Sequence, residues 1–313
     1  MTRSDDRLEK DSLRVLAAIA DLGLPPIHSL TPAEARNLRK QTAAISAGPQ
    51  EPVGSAADLK LNGPGGWLRA REYVPPDATH DLGTLVYFHG GGWVMGNLDT
   101  HDALCRGLTN AAGVRVVAIE YRLAPEHPHP AAIEDAWAAT AWARERWKGP
   151  LAVGGDSAGG HLAITVAATA KTRGLSLAAQ VLIYPVTDLS NLDTESYETF
   201  AEGYWLTRDA MVWFRDHLLP EGHPPTDPMV SPLLRPDVSG MAPAIVVLAE
   251  CDVLRDEGYA YARRLEAAGG LSACLEFSGV IHGFVAMPQA IAEGRRALQQ
   301  IGQALAPLMD PSS

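Results

Sequence analysis

The chain has 313 residues, a formal net charge of −11 and an ordinary share of apolar and charged residues. A globular chain of this length can bury a large core, and its negative charge argues against nucleic acid or an anionic membrane surface as the main partner. No apolar run approaches a membrane span and no apolar signal segment follows the charged N-terminus, so we expect a soluble cytoplasmic protein with a small-molecule ligand.

The first 75 residues predict two helices followed by two strands. Apolar residues recur close to helical spacing through residues 4–23. Residues 31–34 (TPAE) have the pattern of a capping box with proline at the first helical position. Strands are predicted at residues 57–61 and 67–74, because a glycine-rich turn separates two runs of strand-forming residues.

Strands and helices alternate from residue 84 onward. The predicted strands cover residues 84–88, 114–121, 151–153, 180–184, 244–249 and 272–277. The predicted helices cover residues 100–112, 131–147, 158–171, 256–268 and 289–305. This alternation predicts a mostly parallel sheet with helices on both faces, because parallel neighbours need crossover connections.

One long segment, residues 188–242, interrupts this alternation. It is rich in proline, aspartate and aromatic residues, and it contains one predicted helix at residues 208–219, capped by Thr207. A plain connection of this length is uncommon, so we expect the segment to form a lid or cap beside a functional site.

A glycine-rich turn at residues 154–160 (GGDSAGG) carries the first chemical signal. It lies between a predicted strand and a predicted helix and matches G-x-S-x-G, in which serine occupies the apex of a tight strand-to-helix turn. Small neighbours let the strand and helix approach, and the positive end of the helix favours negative charge that develops at Ser157. Ser157 is therefore the candidate nucleophile.

A serine nucleophile needs a base, and the base needs a carboxylate that orients it. Asp252 and His282 follow the last two predicted strands, in the chain order that the serine motif requires. His282 is the one histidine that comes after both Ser157 and the acidic loop. This order predicts a triad of Ser157, His282 and Asp252.

Two other interpretations of the acidic loop stay open. Asp252 could cap the helix that follows it, although Asp256 and Glu257 are better placed for that role. Glu250, at the end of the strand, is the competing carboxylate. For His282 the alternative is a loop histidine without a catalytic role.

A second glycine-rich segment, residues 89–93 (HGGGW), follows the strand at residues 84–88. We expect the backbone amides of Gly91 and Gly92, together with that of Ala158, to bind an oxyanion, because glycines allow N–H groups to turn toward developing charge. The alternative, a phosphate-binding loop, lacks both the G-x-G-x-x-G spacing and a Walker lysine. His89 is expected to anchor this loop.

No metal or other cofactor is expected. Residues 127–129 (HPH) offer two imidazoles, but the prolines make this loop rigid and no thiol or carboxylate pattern lies beside it. The three cysteines, Cys105, Cys251 and Cys274, lack the spacing of a disulfide framework and are expected to be reduced thiols.

Four stretches of the chain share motifs with one enzyme family. They are residues 89–93 (HGGGW), 121–126 (YRLAPE), 155–160 (GDSAGG), and Asp252 with residues 282–284 (HGF). Together they resemble the bacterial hormone-sensitive-lipase-like esterases, family IV of the α/β-hydrolase fold. The resemblance runs from about residue 85 to residue 284. It implies Ser157 as nucleophile, His282 as base and acid, and Asp252 as the orienting carboxylate.

The same resemblance implies an eight-stranded, mostly parallel sheet with a helical cap. Its segments are N-terminal cap helices at residues 1–50, core at 51–187, a cap insertion at 188–242 and core again at 243–313. Two positions depart from the family pattern: Val253 follows Asp252 where proline is usual, and His161 replaces a usual asparagine. Neither change removes a catalytic group.

Several side chains near the catalytic positions or in the insertion are expected to line a substrate pocket. They are Trp93, Tyr204, Trp205, Val253, Leu254, Ile281 and Phe284. Trp213 and Phe214 lie at helical positions in the insertion and are expected in the core instead.

The predicted activity is hydrolysis of short- to medium-chain carboxylic esters through an acyl-enzyme, without a cofactor. Amide, carbamate or N-acyl hydrolysis is the alternative chemistry, since the same groups cleave those bonds. A non-catalytic ligand-binding protein is the alternative class, as in the related plant gibberellin receptors. Loss of the base histidine marks that branch, whereas His282 is present here. The resemblance also implies a possible homodimer through the last strand and helix.

Activity is expected to fall below about pH 6, because His282 must be neutral to accept a proton and imidazoles become charged near that pH. The measurement is kcat/KM for a p-nitrophenyl ester across the acidic range, with the product read at one fixed alkaline pH. A rate that stays flat down to about pH 4 would contradict the assignment of His282 as base.

Overall fold

Eight strands form one sheet in the computed structural model, which describes residues 6–46, 50–78 and 82–310. The strands are β1 (Ser55–Gly63), β2 (Gly66–Val74), β3 (Thr84–Phe88), β4 (Arg115–Glu120), β5 (Leu151–Asp156), β6 (Ala179–Ile183), β7 (Ala244–Cys251) and β8 (Leu271–Ile281). Their order in the sheet is β1-β2-β4-β3-β5-β6-β7-β8. The β1–β2 and β2–β4 pairs are antiparallel and the other pairs are parallel. The predicted mostly parallel, eight-stranded sheet is confirmed.

The central strands are largely apolar because helices cover both faces of the sheet. All residues of β3, β5 and β6 are buried, as expected for parallel strands in the middle of a sheet. The β1–β2 hairpin lies at one edge, and much of β1 is exposed. The apolar runs of the sequence therefore identify the sheet centre directly.

The helices lie close to their predicted positions. They are α1 (Lys10–Asp21), α2 (Pro32–Ser46), α3 (Asp102–Ala112), α4 (Ala131–Arg146), α5 (Ala158–Arg173), α6 (Glu195–Thr199), α7 (Arg208–Leu218), α8 (Arg255–Ala267) and α9 (Ala292–Leu305). Thr31 and Glu34 form the predicted capping box, and Thr207 Oγ1 accepts the N–H of Ala210 at 3.1 Å. None of the helices in the described ranges has the length and apolar character needed to cross a bilayer.

Three features of the fold differ notably from the predictions. Helix α1 begins at Lys10, because the Glu9 carboxylate caps it and the Glu9 N–H is bound to the Gly279 carbonyl; the first residues of the predicted helix lie outside the described ranges. The short helix α6 was not predicted, since it spans little more than one turn. Strand β8, predicted to end at residue 277, continues through Ile281, across a register shift near Gly279 (φ 71°).

The N-terminal helices and the 188–242 insertion pack on the carboxyl-terminal edge of the sheet and on each other. Arg36 of α2 donates to the carbonyls of Val94 (2.8 Å) and Ala124 (2.9 Å) in two loops that follow strands. A 3₁₀ turn, Ile27–Ser29, contacts α7 of the insertion. The two predicted cap segments therefore meet above the strand ends where the candidate catalytic residues lie.

Helix α5 approaches the sheet closely at Gly159. A Cβ atom there would overlap the carbonyl oxygen of Phe88 in β3, which is backbone and cannot move aside easily. Gly159→Ala is expected to lower the free energy of unfolding by about 1–3 kcal/mol, the usual cost of overpacking. Denaturant unfolding monitored by circular dichroism measures this loss.

The matched control is Gly270→Ala, where the added Cβ would meet only Leu265 at ordinary contact distances. That variant should change the unfolding free energy by less than about 0.5 kcal/mol. Equal stability of the two variants would show that the approach at Gly159 is not tight.

Candidate active site

The pairing of β7 with β8 brings Asp252 and His282 together. Cys251 lies opposite Ile281 in the ladder, so the next residue of each strand leaves the sheet at the same point. His282 Nδ1 donates to Asp252 Oδ2 at 2.7 Å, and both side chains are nearly buried. The Leu254 N–H donates to the other carboxylate oxygen, Oδ1, at 3.0 Å. This arrangement fixes the ring orientation and leaves His282 Nε2 as the basic nitrogen.

Ser157 occupies the turn from β5 to α5 at the same edge of the sheet. Its φ of 55° lies in the region that favours glycine, and its N–H donates to the Ile183 carbonyl of β6 at 2.8 Å. A non-glycine residue held at positive φ carries local backbone strain, which occurs where a structure fixes a functional side chain. The geometry is that of the strand–turn–helix motif predicted from residues 154–160.

The other acidic side chains of the loop bind elsewhere. Glu250 Oε2 accepts the N–H of Gly279 at 2.8 Å. Asp256 and Glu257 lie in the first turn of α8, as predicted, but their carboxylates also bind the insertion. Of the four carboxylates at residues 250–257, Asp252 is the one that hydrogen-bonds to His282.

The segment at residues 89–93 forms a tight loop after β3. Gly91 and Gly92 have φ values of 123° and 59°, and Trp93 continues with a φ of 59°. Phe214 of α7 lies so close to Gly92 that a Cβ there would overlap its ring. Glycine is required at this position both by the backbone and by the insertion packed on it.

A buried carboxylate, Asp156, joins this loop to the serine turn. Its Oδ1 accepts the Gly90 N–H at 2.9 Å and the Tyr87 hydroxyl at 2.7 Å, and its Oδ2 lies 3.3 Å from His101 Nε2. Although burial opposes ionisation, the charge of His101 and these hydrogen bonds hold the pKa of Asp156 below its usual range. The residue before Ser157 therefore fixes the start of the glycine loop.

Two buried histidines near the glycine loop, His89 and His161, are uncharged at neutral pH. Burial lowers the pKa of His89 and of His161 to about 3. His89 stacks on Tyr121 and donates from Nδ1 to the Gly90 carbonyl at 2.9 Å, as expected of a loop anchor. His161 Nε2 donates to the Met229 carbonyl of the insertion at 2.9 Å. Neither ring gains charge near neutral pH.

Five of the predicted pocket residues are fully buried and belong to the hydrophobic core. They are Trp93, Val253, Leu254, Ile281 and Phe284. Contact between these side chains and a substrate therefore stays a prediction. Tyr204 and Trp205 are only partly buried, and the Trp205 indole lies beside Gly283, next to His282. Phe214 belongs to the core, as expected.

Arg39 of α2 brings a positive charge toward the same region. Burial lowers the pKa of its guanidinium, while attraction to Asp156 and Tyr184 opposes that change. The Tyr184 ring contacts the ring of His282, with centroids 4.6 Å apart. The N-terminal helices thus place a partly desolvated cation near the candidate site. The sequence motifs gave no sign of this charge, because all of them lie beyond the N-terminal helices.

The structure also assembles a group that the sequence analysis missed. The sequence shows no thiol or carboxylate pattern beside residues 127–129, but the fold brings His223 and Asp227 of the insertion to His129. His127 is exposed and does not take part. The four-residue spacing of His223 and Asp227 could have indicated a pair of metal-binding side chains. Their contact with His129 could not be predicted, because about 90 residues separate them in sequence.

The chain is similar to known ester hydrolases over most of its length. The alpha/beta-hydrolase-fold family Abhydrolase_3 matches residues 85–286. Ethyl acetate hydrolase of Pseudomonas putida is 40% identical over 292 residues, covering 90% of this chain and 91% of that protein. Carboxylic ester hydrolase LipN of Mycobacterium tuberculosis is 43% identical over 251 residues, covering 76% of this chain and 66% of that protein.

Solved structures agree with these similarities. Ester-hydrolase EH1AB1 from the metagenome of Lake Arreo, complexed with a bipyridine phosphonate derivative, superposes with a TM-score of 0.91 at 38% identity, covering 96% of this chain and 98% of that chain. The chain belongs to the alpha/beta-hydrolase family, among its hormone-sensitive-lipase-like esterases. The predicted class, a carboxylic ester hydrolase, is confirmed.

Asp156→Asn tests whether this carboxylate positions the glycine loop. The amide keeps the size of the side chain but weakens its hold on the Gly90 N–H, so kcat for a p-nitrophenyl ester should fall roughly 10- to 100-fold. The control is Asp102→Asn, a similarly buried carboxylate that binds Tyr73, Arg71 and Arg106 instead. Equal kcat losses in both variants would indicate general destabilisation and not positioning.

Proposed function

We propose that the protein hydrolyses short- to medium-chain carboxylic esters through an acyl-enzyme on Ser157. The observation that carries this proposal is the 2.7 Å hydrogen bond from His282 Nδ1 to Asp252, at the sheet edge where Ser157 occupies its strained turn. An imidazole oriented by a carboxylate beside a serine in that turn is the arrangement used for acyl transfer.

In the proposed reaction, His282 Nε2 removes the hydroxyl proton of Ser157 as Oγ attacks the ester carbonyl. Asp252 stabilises the imidazolium that forms. The carbonyl oxygen becomes an oxyanion, which accepts hydrogen bonds from the amides of Gly91, Gly92 and Ala158. Each such donor contributes roughly 3 kcal/mol to lowering the barrier.

The tetrahedral intermediate then collapses, and His282 returns its proton to the leaving alcohol. A water molecule next gives its proton to His282 and attacks the acyl-enzyme. The second intermediate releases the carboxylic acid and restores the Ser157 hydroxyl. No redox step or external cofactor enters this sequence.

Two features support small acyl groups. Phe214 packs against Gly92, and Trp205 lies beside Gly283, so aromatic side chains of the insertion approach both candidate catalytic loops. One relative that aligns over nearly its whole length is named for the hydrolysis of ethyl acetate. Bulky side chains that close over a site limit the length of chain it accepts.

We also propose a helical cap over the substrate and a homodimer. The N-terminal helices and residues 188–242 form the cap over the substrate, supported by the contact of Ile27–Ser29 with α7. A homodimer through β8 and α9 is supported by the position of β8 at the end of the sheet order, since an edge strand can pair with a second copy. The expected location is the cytoplasm.

Hydrolysis of p-nitrophenyl esters from acetate to palmitate, measured beside Ser157→Ala, tests the function. The wild type should show a maximum among the shorter acyl chains, and the variant should lose at least about 10⁴-fold in kcat. The control is Ser12→Ala, which removes a buried serine of α1 and should keep full activity.

Each contrary outcome has a separate meaning. Activity retained in Ser157→Ala would remove Ser157 as the nucleophile. Inactivity of the wild type on every ester, with turnover of amides or carbamates, would leave the machinery in place and change the substrate class. A maximum at palmitate would overturn the proposed chain length alone.

A further inference from the structure

Three side chains that commonly bind metals meet where the insertion joins the core, outside the candidate triad. His129 belongs to the loop between β4 and α4, whereas His223 and Asp227 follow α7 in the insertion. One donor atom from each of the three lies within 4.8 Å of the others. Two imidazoles and one carboxylate are a donor set that binds divalent transition ions.

The distances are close to those of a metal centre. His223 Nε2 and Asp227 Oδ2 are 3.1 Å apart. A tetrahedral zinc ion with bonds of about 2.0–2.1 Å keeps its donors roughly 3.3 Å apart, so this pair already has the required separation. The rings of His129 and His223 are tilted by 56° to each other, with centroids 4.6 Å apart. A donor atom of His129 lies within 4.8 Å of the other two donors, so this side chain must shift toward the pair to complete a three-donor set.

Hydrogen bonds to the backbone hold all three residues in place, and the His223 N–H donates to the Pro220 carbonyl at 3.0 Å. The Asp227 Oδ1 accepts the Met229 N–H at 2.8 Å, which directs Oδ2 toward His223. The Asp227 carbonyl accepts the N–H groups of Val230 and Ser231. The His129 N–H donates to the Leu218 carbonyl at 2.8 Å, so the core loop is bound to the end of α7 without a metal. Positioning of this kind favours metal binding because the donors need little reorganisation.

The exposure of the three side chains and the type of their donor atoms favour particular metal ions. His129 is buried, but His223 and Asp227 are partly exposed, which gives an ion a route from solvent. Calcium and magnesium prefer oxygen donors, whereas imidazole nitrogens favour zinc, cobalt or nickel. Three protein donors leave a fourth position for water.

We propose that His129, His223 and Asp227 bind a zinc-class divalent ion that fastens the insertion to the core. The ion would join a core loop to the same insertion segment that accepts a hydrogen bond from His161, one turn beyond Ser157 in α5. This site stands independently of the ester-hydrolase proposal, because its test measures binding and not turnover.

The experiment is isothermal titration of the purified full chain, first stripped with a chelator, with Zn²⁺ and then with Co²⁺ and Mg²⁺. Thermal unfolding is recorded in parallel. We expect one Zn²⁺ or Co²⁺ per chain, no binding of Mg²⁺, and a Tm increase of about 4 °C when free Zn²⁺ is roughly 100 times Kd.

Three variants locate the ion. His223→Gln and Asp227→Asn remove insertion donors, His129→Gln removes the core donor, and each should weaken Zn²⁺ binding at least about tenfold. Asp227→Asn keeps an oxygen for the Met229 N–H, so it preserves the loop if a histidine variant fails to fold. The matched control is His127→Gln, an exposed histidine two residues from His129, which should leave Kd unchanged.

Absence of Zn²⁺ and Co²⁺ binding to the wild type would overturn the proposal. Unchanged Kd in all three donor variants would do the same, because it would assign the ion to other residues. Binding lost in the two insertion variants but retained in His129→Gln would overturn the bridge between insertion and core.

Discussion

The parallel pairing of β7 with β8 is the constraint on which the candidate site depends. Cys251 and Ile281 form the last pair of this ladder, so both strands leave the sheet at the same point. The next residues, Asp252 and His282, therefore lie within hydrogen-bond distance of each other. A slip of one residue would turn the side chains of a buried strand to the opposite face, so core packing holds the register. The stability of the sheet and the alignment of the two polar groups therefore come from the same contacts.

A second constraint is the buried charge of Asp156. An ionised carboxylate is costly to bury unless hydrogen bonds and opposite charge compensate it. Here Tyr87 and Gly90, at the end of β3 and in the loop after it, and His101, just before α3, supply that compensation. As a result, the serine turn, the glycine loop and the start of α3 form one connected unit beneath the site.

Much of this could be predicted from sequence because the signals are local. Apolar runs identified the buried strands. The turn at residues 154–160 predicts Ser157 as the candidate nucleophile, and chain order predicts Asp252 and His282 as its candidate partners. The extension of β8 past Gly279 could not be predicted, since it depends on Glu250 accepting that residue's N–H. The group at His129, the approach of Arg39 and the packing of Phe214 on Gly92 were also beyond reach, because each joins segments far apart in the chain.

The loop that carries Asp252 also holds the insertion. Glu257 accepts the N–H groups of Thr187 and Asp188, and burial raises the pKa of its carboxyl well above the usual range. Ser196 donates from its hydroxyl to the Val253 carbonyl at 2.7 Å and from its N–H to Asp256 at 2.8 Å. An insertion grafted from another esterase to change substrate range would have to preserve these amide and hydroxyl donors. Otherwise the graft would release the acid loop, and turnover would fall together with the change in selectivity.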